Sequence, residues 1–134
     1  MRKRIIHRIS NYEKAEHDQV VAARAKQLSL FYKVLADSDM VKSTYKSNNL
    51  YPDIIVMDEK NNILFIEEIV TKSSVTRNER DKLWMRYSEL GYPFNLIVPR
   101  AQELKAKRLI KGLNFHKLYY YNVTTIGVKF RQVS

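Results

Sequence analysis

The chain has 134 residues, of which 24 are Lys or Arg and 14 are Asp or Glu, giving a formal net charge of +10, and it has no cysteine. That length fits one domain with an ordinary core, and a hydrophobic share of 45% excludes a disordered chain. The lack of cysteine excludes disulfides and thiolate-held zinc and fits a reducing, cytoplasmic setting, while the surplus of cations points to a polyanionic partner such as nucleic acid.

Residues 1–10 read as a basic arm on a single domain spanning 1–134, with Arg2, Lys3, Arg4 and Arg8 and no acid. Its apolar centre is only Ile5 and Ile6, too short for a signal peptide, and no later stretch approaches a membrane span. Ser10-Asn11-Tyr12-Glu13 has the form of a capping box. Val21, Ala25, Leu28, Phe31, Tyr32 and Leu35 then recur at helical spacing. They predict a helix over 11–36 with Lys14, Arg24, Lys26 and Lys33 on its polar flank.

A short strand is expected over 39–46, then a turn at Asn48-Asn49. The apolar runs 53–58 and 63–70, joined by Glu59-Lys60-Asn61-Asn62, predict a β-hairpin buried on both faces. Thr76-Arg77-Asn78-Glu79 is a second capping box and opens a helix to Leu90, with Leu83, Tyr87 and Leu90 inward and Gly91 as its stop. A strand over 94–98, a basic helix over 101–111 closed by Gly112, and strands over 118–121 and 126–130 complete a mixed α/β domain.

Charge is distributed unevenly along these elements. Residues 53–68 hold Asp53, Asp58, Glu59, Glu67 and Glu68 against Lys60 alone. Residues 100–117 hold Arg100, Lys105, Lys107, Arg108, Lys111 and Lys117 against Glu103 alone. Basic ends around an acidic middle suit a phosphate-binding protein with a cation at its centre. In a strand, neighbouring side chains point to opposite faces, so Glu67 lies with Phe65 and Ile69, and Glu68 with Leu64, Ile66, Val70 and Lys72. A carboxylate among such residues is costly unless partnered, and a hard cation held between two strands is one such partner.

The stretch Tyr51-Pro52-Asp53-Ile54-Ile55-Val56-Met57-Asp58, followed by Leu64-Phe65-Ile66-Glu67-Glu68-Ile69-Val70-Thr71-Lys72, resembles the motif of the PD-(D/E)XK nuclease superfamily. Leu83-Trp84-Met85-Arg86-Tyr87 and Gly91–Val98 resemble that family's second core helix and fourth strand. The resemblance covers roughly residues 11–100 and implies a restriction-endonuclease-like αβββαβ core within a mixed sheet flanked by helices. It also implies Mg²⁺ or Mn²⁺ held by Asp53 and Glu68, with a glutamate from the first helix. Glu13, Glu16 and His17 are the candidates there; Glu13 has a capping role, and Glu16 is favoured. The family's water-assisting lysine belongs two residues after the second acid, where this chain has Val70. Lys72, one pleat repeat further along, and Lys82 on the next helix are the candidates to replace it.

The implied activity is a metal-dependent endonuclease hydrolysing phosphodiester bonds in DNA, with Lys105, Arg108 and Lys111 and the arm residues Arg2, Lys3 and Arg4 on the phosphate backbone. A homodimer suits the cutting of both strands of a duplex. Two other readings stand beside it: a catalytically degenerate nuclease fold that binds nucleic acid or protein without cutting, and an assembly protein with an incidental basic surface. Trp84 and Tyr119-Tyr120-Tyr121 fit core packing better than base stacking. No glycine-rich phosphate loop and no zinc-spaced histidine pair is present.

Overall fold

A computed structural model describes residues 10–36 and 50–133. Ser10 caps the first helix, α1 (Asn11–Leu28), its hydroxyl accepting from the Glu13 amide at 3.1 Å. α1 buries Val20, Arg24 and Leu28, one row at i, i+4 and i+8. The helix ends eight residues before the expected 36, because the ladder tightens after Ser29: the Leu30 amide donates to the Gln27 carbonyl at 3.4 Å, three residues back instead of four. The amides of Phe31 and Tyr32 then both donate to the Leu28 carbonyl. The Phe31 and Tyr32 side chains are exposed, and the following residues form strand β1 (Lys33–Leu35). The helical spacing of Phe31, Tyr32 and Leu35 was coincidental: Leu35 reaches the core from a strand. The strand expected over 39–46 lies outside the described residues.

β2 (Ile54–Met57) and β3 (Ile63–Ile69) form the expected antiparallel hairpin. Asp58 holds its turn, accepting from the amides of Lys60 and Asn62 at 2.8 and 2.9 Å, while Asn61 takes a positive φ of 66°. These bonds, first from the Asn62 side chain and then from the backbone amides, lower the Asp58 pKa. The second helix, α2, runs through Arg77–Glu79, a π-helical turn Arg80–Trp84, and Met85–Ser88. The wider turn shifts the helical phase, so the fully buried residue is Trp84, with Leu83 at the margin. Gly91 follows at a φ of 93°. β4 (Phe94–Pro99), α3 (Glu103–Leu109), β5 (Lys117–Thr124) and β6 (Gly127–Gln132) complete the chain. The expected basic helix is shorter than 101–111, since Arg100–Gln102 forms a 3-10 turn before it.

The six strands make one mixed sheet in sequence order. β3, β4 and β5 run parallel, and the outer pairs β1/β2, β2/β3 and β5/β6 are antiparallel. One face packs on α2 and α3 through Ile55, Ile66, Val70, Leu96, Trp84 and Ala106. The other packs on α1 through Ile54, Val56, Ile69, Ile97 and Tyr121. Arg80 ties the two lower helices together by donating to the carbonyls of Leu109 and Lys111 at the end of α3. Among the described residues no helix is long and apolar enough to cross a membrane.

Candidate active site

The hairpin register pairs Ile54 with Glu67 and so sets Asp53 opposite Glu68 on the same face of the sheet. The Asp53 amide donates to Glu68 Oε1 at 3.3 Å. Asp53 Oδ2 in turn accepts from the Ile69 amide at 2.8 Å and meets His17 Nε2 at 3.1 Å. Burial, followed by the neighbouring Asp53 charge, raises the Glu68 pKa well above the ordinary carboxylate range, and the charge of Glu79 adds to it. His17 shows the opposite balance. Burial works against its charged form, but Asp53 and then Asp18 outweigh it, so its pKa is raised above 6.5.

These groups open into a cavity of about 460 Å³. Four segments converge on it: Lys14 and His17 of α1, Asp53 before β2, Glu68 to Thr71 at the end of β3, and Glu79 and Leu83 of α2. Glu13 holds the α1 wall in place, since its Oε1 accepts from the hydroxyls of Thr71 and Ser73, each at 2.7 Å. The cavity therefore lies outside the carboxyl ends of the parallel strands, where α/β sheets commonly bind ligands.

Two carboxylates in contact, one with its proton affinity raised by the other, are hard oxygen donors suited to Mg²⁺ or Mn²⁺. Among the described residues no group of three His, Cys, Asp or Glu side chains has metal-holding spacing. A cation here would take Asp53 and Glu68 from the protein and complete its shell with water, a common arrangement for Mg²⁺.

Of the residues singled out in the sequence, Asp53 and Glu68 come together. Glu16 does not join them; it lies on the other flank of α1 and accepts from the Tyr121 hydroxyl at 2.8 Å. Lys72 is exposed in the 3-10 turn Lys72–Ser74, because β3 ends at Ile69, so the pleat repeat that would align it with Glu68 does not continue that far. Lys82 is exposed on α2, and neither lysine lines the cavity. Val70 is buried. Lys105, Arg108 and Lys111 are exposed on or just after α3, and Arg2, Lys3 and Arg4 lie outside the described residues.

Three residues escaped the sequence reading. Lys14 and Glu79 line the cavity but sit far from the motif in sequence. Arg24, expected on a polar flank, is buried and grips Glu67 with two bonds of 2.8 Å, from Nε and Nη2. Its guanidinium lies 4.4 Å from the Tyr119 ring centroid, and Asn95 Nδ2 adds a third donor to Glu67 at 3.0 Å. The arrangement defines a mixed α/β domain with a paired-carboxylate cleft at the carboxyl end of its parallel strands. Compared with protein-family models, curated proteins and solved structures, the chain finds no match in any of the three.

Proposed function

We propose that this chain is a metal-dependent nuclease of the PD-(D/E)XK type that hydrolyses phosphodiester bonds in nucleic acid, most directly DNA. The observation that carries the reading is the Asp53–Glu68 pair at the mouth of the 460 Å³ cavity. The order of helix, three strands, helix and strand supports it, as does the net charge of +10. Asp53 and Glu68 would hold Mg²⁺ or Mn²⁺, which when bound polarises the phosphodiester and acidifies a water ligand.

The chain's own groups do the rest. The Ile69 amide and His17 Nε2 fix the Asp53 carboxylate, and the Asp53 amide holds Glu68 Oε1 beside it, so the two carboxylates would hold the cation between them. Lys14, at the cavity wall with its Nζ on Asp18 at 3.5 Å, is the cation that would take the role of the lysine Val70 replaces, by turning from Asp18 to the attacking water. The water oxygen forms a new bond to phosphorus as one P–O bond breaks; the water loses a proton and the leaving oxygen takes one from solvent, leaving a phosphate monoester and a hydroxyl terminus. The exposed Lys105, Arg108 and Lys111 position the backbone electrostatically.

The buried Val70 favours a second reading, in which the fold binds nucleic acid without cutting it. Cleavage of plasmid and branched DNA with Mg²⁺ or Mn²⁺ separates the two. The nuclease reading expects wild type to cut, Asp53→Ala and Glu68→Ala to lose activity at least about a thousandfold, and Lys14→Ala to lose about a hundredfold. A folded wild type that binds DNA and cuts none of it under either metal leaves the binding reading standing.

A further inference from the structure

A second cavity, of about 300 Å³, opens on the opposite flank of α1 from the carboxylate cleft. Lys14 and His17 turn toward the first cavity, while Tyr12, Glu16 and Gln19 turn toward the second. Its far wall is built by Arg100, just after β4, and by Tyr121 and Asn122 of β5, where Tyr121 pairs with Pro99 at the carboxyl end of β4. The two cavities share a wall at Tyr121, whose hydroxyl donates to Glu16 and lies 3.4 Å from the carbonyl of Val70 in the first cavity. Both therefore open at the same end of the sheet.

The lining has the chemistry of a base pocket. Tyr12 is 79% exposed on the first turn of α1, an aromatic face presented to solvent at the rim. Gln19 and Asn122 are exposed amides, each carrying both donors and acceptors. Glu16 has one oxygen engaged by Tyr121 and is an acceptor suited to an exocyclic amino group. Arg100, exposed on the far wall, supplies the positive charge. A volume near 300 Å³ lies at the small end of ligand pockets and suits one nucleotide rather than a duplex.

We propose that this cavity receives one unstacked base of a single-stranded nucleic acid, stacked on Tyr12 and read by Glu16, Gln19 and Asn122, with its phosphate on Arg100. The strand then crosses the first turns of α1 and brings a neighbouring phosphodiester to Asp53 and Glu68. The substrate class becomes single-stranded ends or splayed junctions; this part of the inference rests on the nuclease reading, whereas the base pocket itself does not.

The test is fluorescence anisotropy of the full chain with a short labelled single-stranded oligodeoxynucleotide and with its duplex, at fixed low salt and without divalent metal, run beside the cleavage assay. Tyr12→Ala should weaken single-strand binding about tenfold and leave duplex binding within about twofold. Tyr12 is largely exposed, so its removal leaves the core intact, and Asn122→Ala provides a second exposed position expected to act in the same direction. Unchanged single-strand binding in both variants overturns the base pocket, as does a wild type that binds no oligonucleotide. If Tyr12→Ala loses single-strand binding but wild type cuts no DNA with either metal, the base pocket stands and the nuclease reading fails. If cleavage depends on Asp53 but binding is indifferent to Tyr12 and Asn122, the nuclease reading stands and the pocket falls.

Discussion

Glu67 and Glu68 are consecutive in β3, yet the sheet sends them into opposite environments. Glu67 faces α1 and is fully buried, with both oxygens occupied by Arg24 and a further bond from Asn95. Glu68 faces the cavity, where its nearest charged neighbour is another acid, and its proton affinity rises accordingly. A carboxylate saturated by protein donors serves architecture, because no ligand can improve on its partners. A carboxylate set against a second carboxylate is held in a state that a cation would relieve. The difference teaches that burial alone does not mark a functional acid; the identity of the partner does.

Breaking the architectural side should have the largest effect on stability. Arg24→Ala strands a buried Glu67 charge and is expected to cost about 3–5 kcal/mol, a large share of a domain's usual stability. Arg24→Met combined with Glu67→Gln removes both charges and keeps an acceptor for Asn95, so most of the loss should be recovered. Urea midpoints at constant m-value measure both. A loss below about 1 kcal/mol for Arg24→Ala would mean that Glu67 is not held as its bonds imply.

The other side of the strand should respond with the opposite sign. The folded-state pKa of Glu68 is raised, so the folded chain binds the proton more tightly than the unfolded chain. That stabilisation is fully present below the unfolded pKa near 4.5 and is lost as pH rises through the folded value. Glu68→Gln removes the loss and should raise stability in mildly alkaline, metal-free buffer, on the order of 1 kcal/mol, with no gain in acid. The same variant should abolish any rise in melting temperature produced by Mn²⁺. If Glu68→Gln melts below wild type at alkaline pH, Glu68 is a structural acid like its neighbour.

Much of this contrast was legible in the sequence. The alternation of Phe65 to Val70 assigns the two acids to opposite faces, and Pro52-Asp53 marks the mouth of the hairpin. The partner of Glu67 was not legible, because Arg24 lies 43 residues away and an arginine beside Lys26 on a helix reads as solvated. The end of α1 was missed because Phe31, Tyr32 and Leu35 keep helical spacing by chance, and only the tightening to three-residue bonds at Leu30 and Phe31 ends the helix. Lys14 and Glu79 were missed because their place in the cavity depends on how α1 and α2 cross the sheet, a tertiary fact with no periodicity to reveal it. The π-helical turn at Arg80–Trp84 likewise has no sequence signature, though it decides that Trp84 is the buried residue.

The smallest expected effect belongs to His17, which sits between the two kinds of site. Its pKa is raised because Asp53 and Asp18 overcome the effect of burial. Its charged form therefore stabilises the fold below the unfolded pKa near 6.5, and the contribution disappears as pH rises through the folded value. His17→Gln keeps a donor for Asp53 without the charge, so its cost should be below about 1 kcal/mol in mildly acidic buffer and vanish in alkali. Thermal melts across that range measure it, and a pH-independent difference would assign His17 to packing rather than to charge. The same substitution frees Asp53 from a competing cation, so apparent Mn²⁺ affinity should rise in acid and stay level in alkali. Cation affinity that falls in acid on losing His17 would make the histidine part of the cation's own shell, and Asp53–His17 rather than Asp53–Glu68 the pair at its centre.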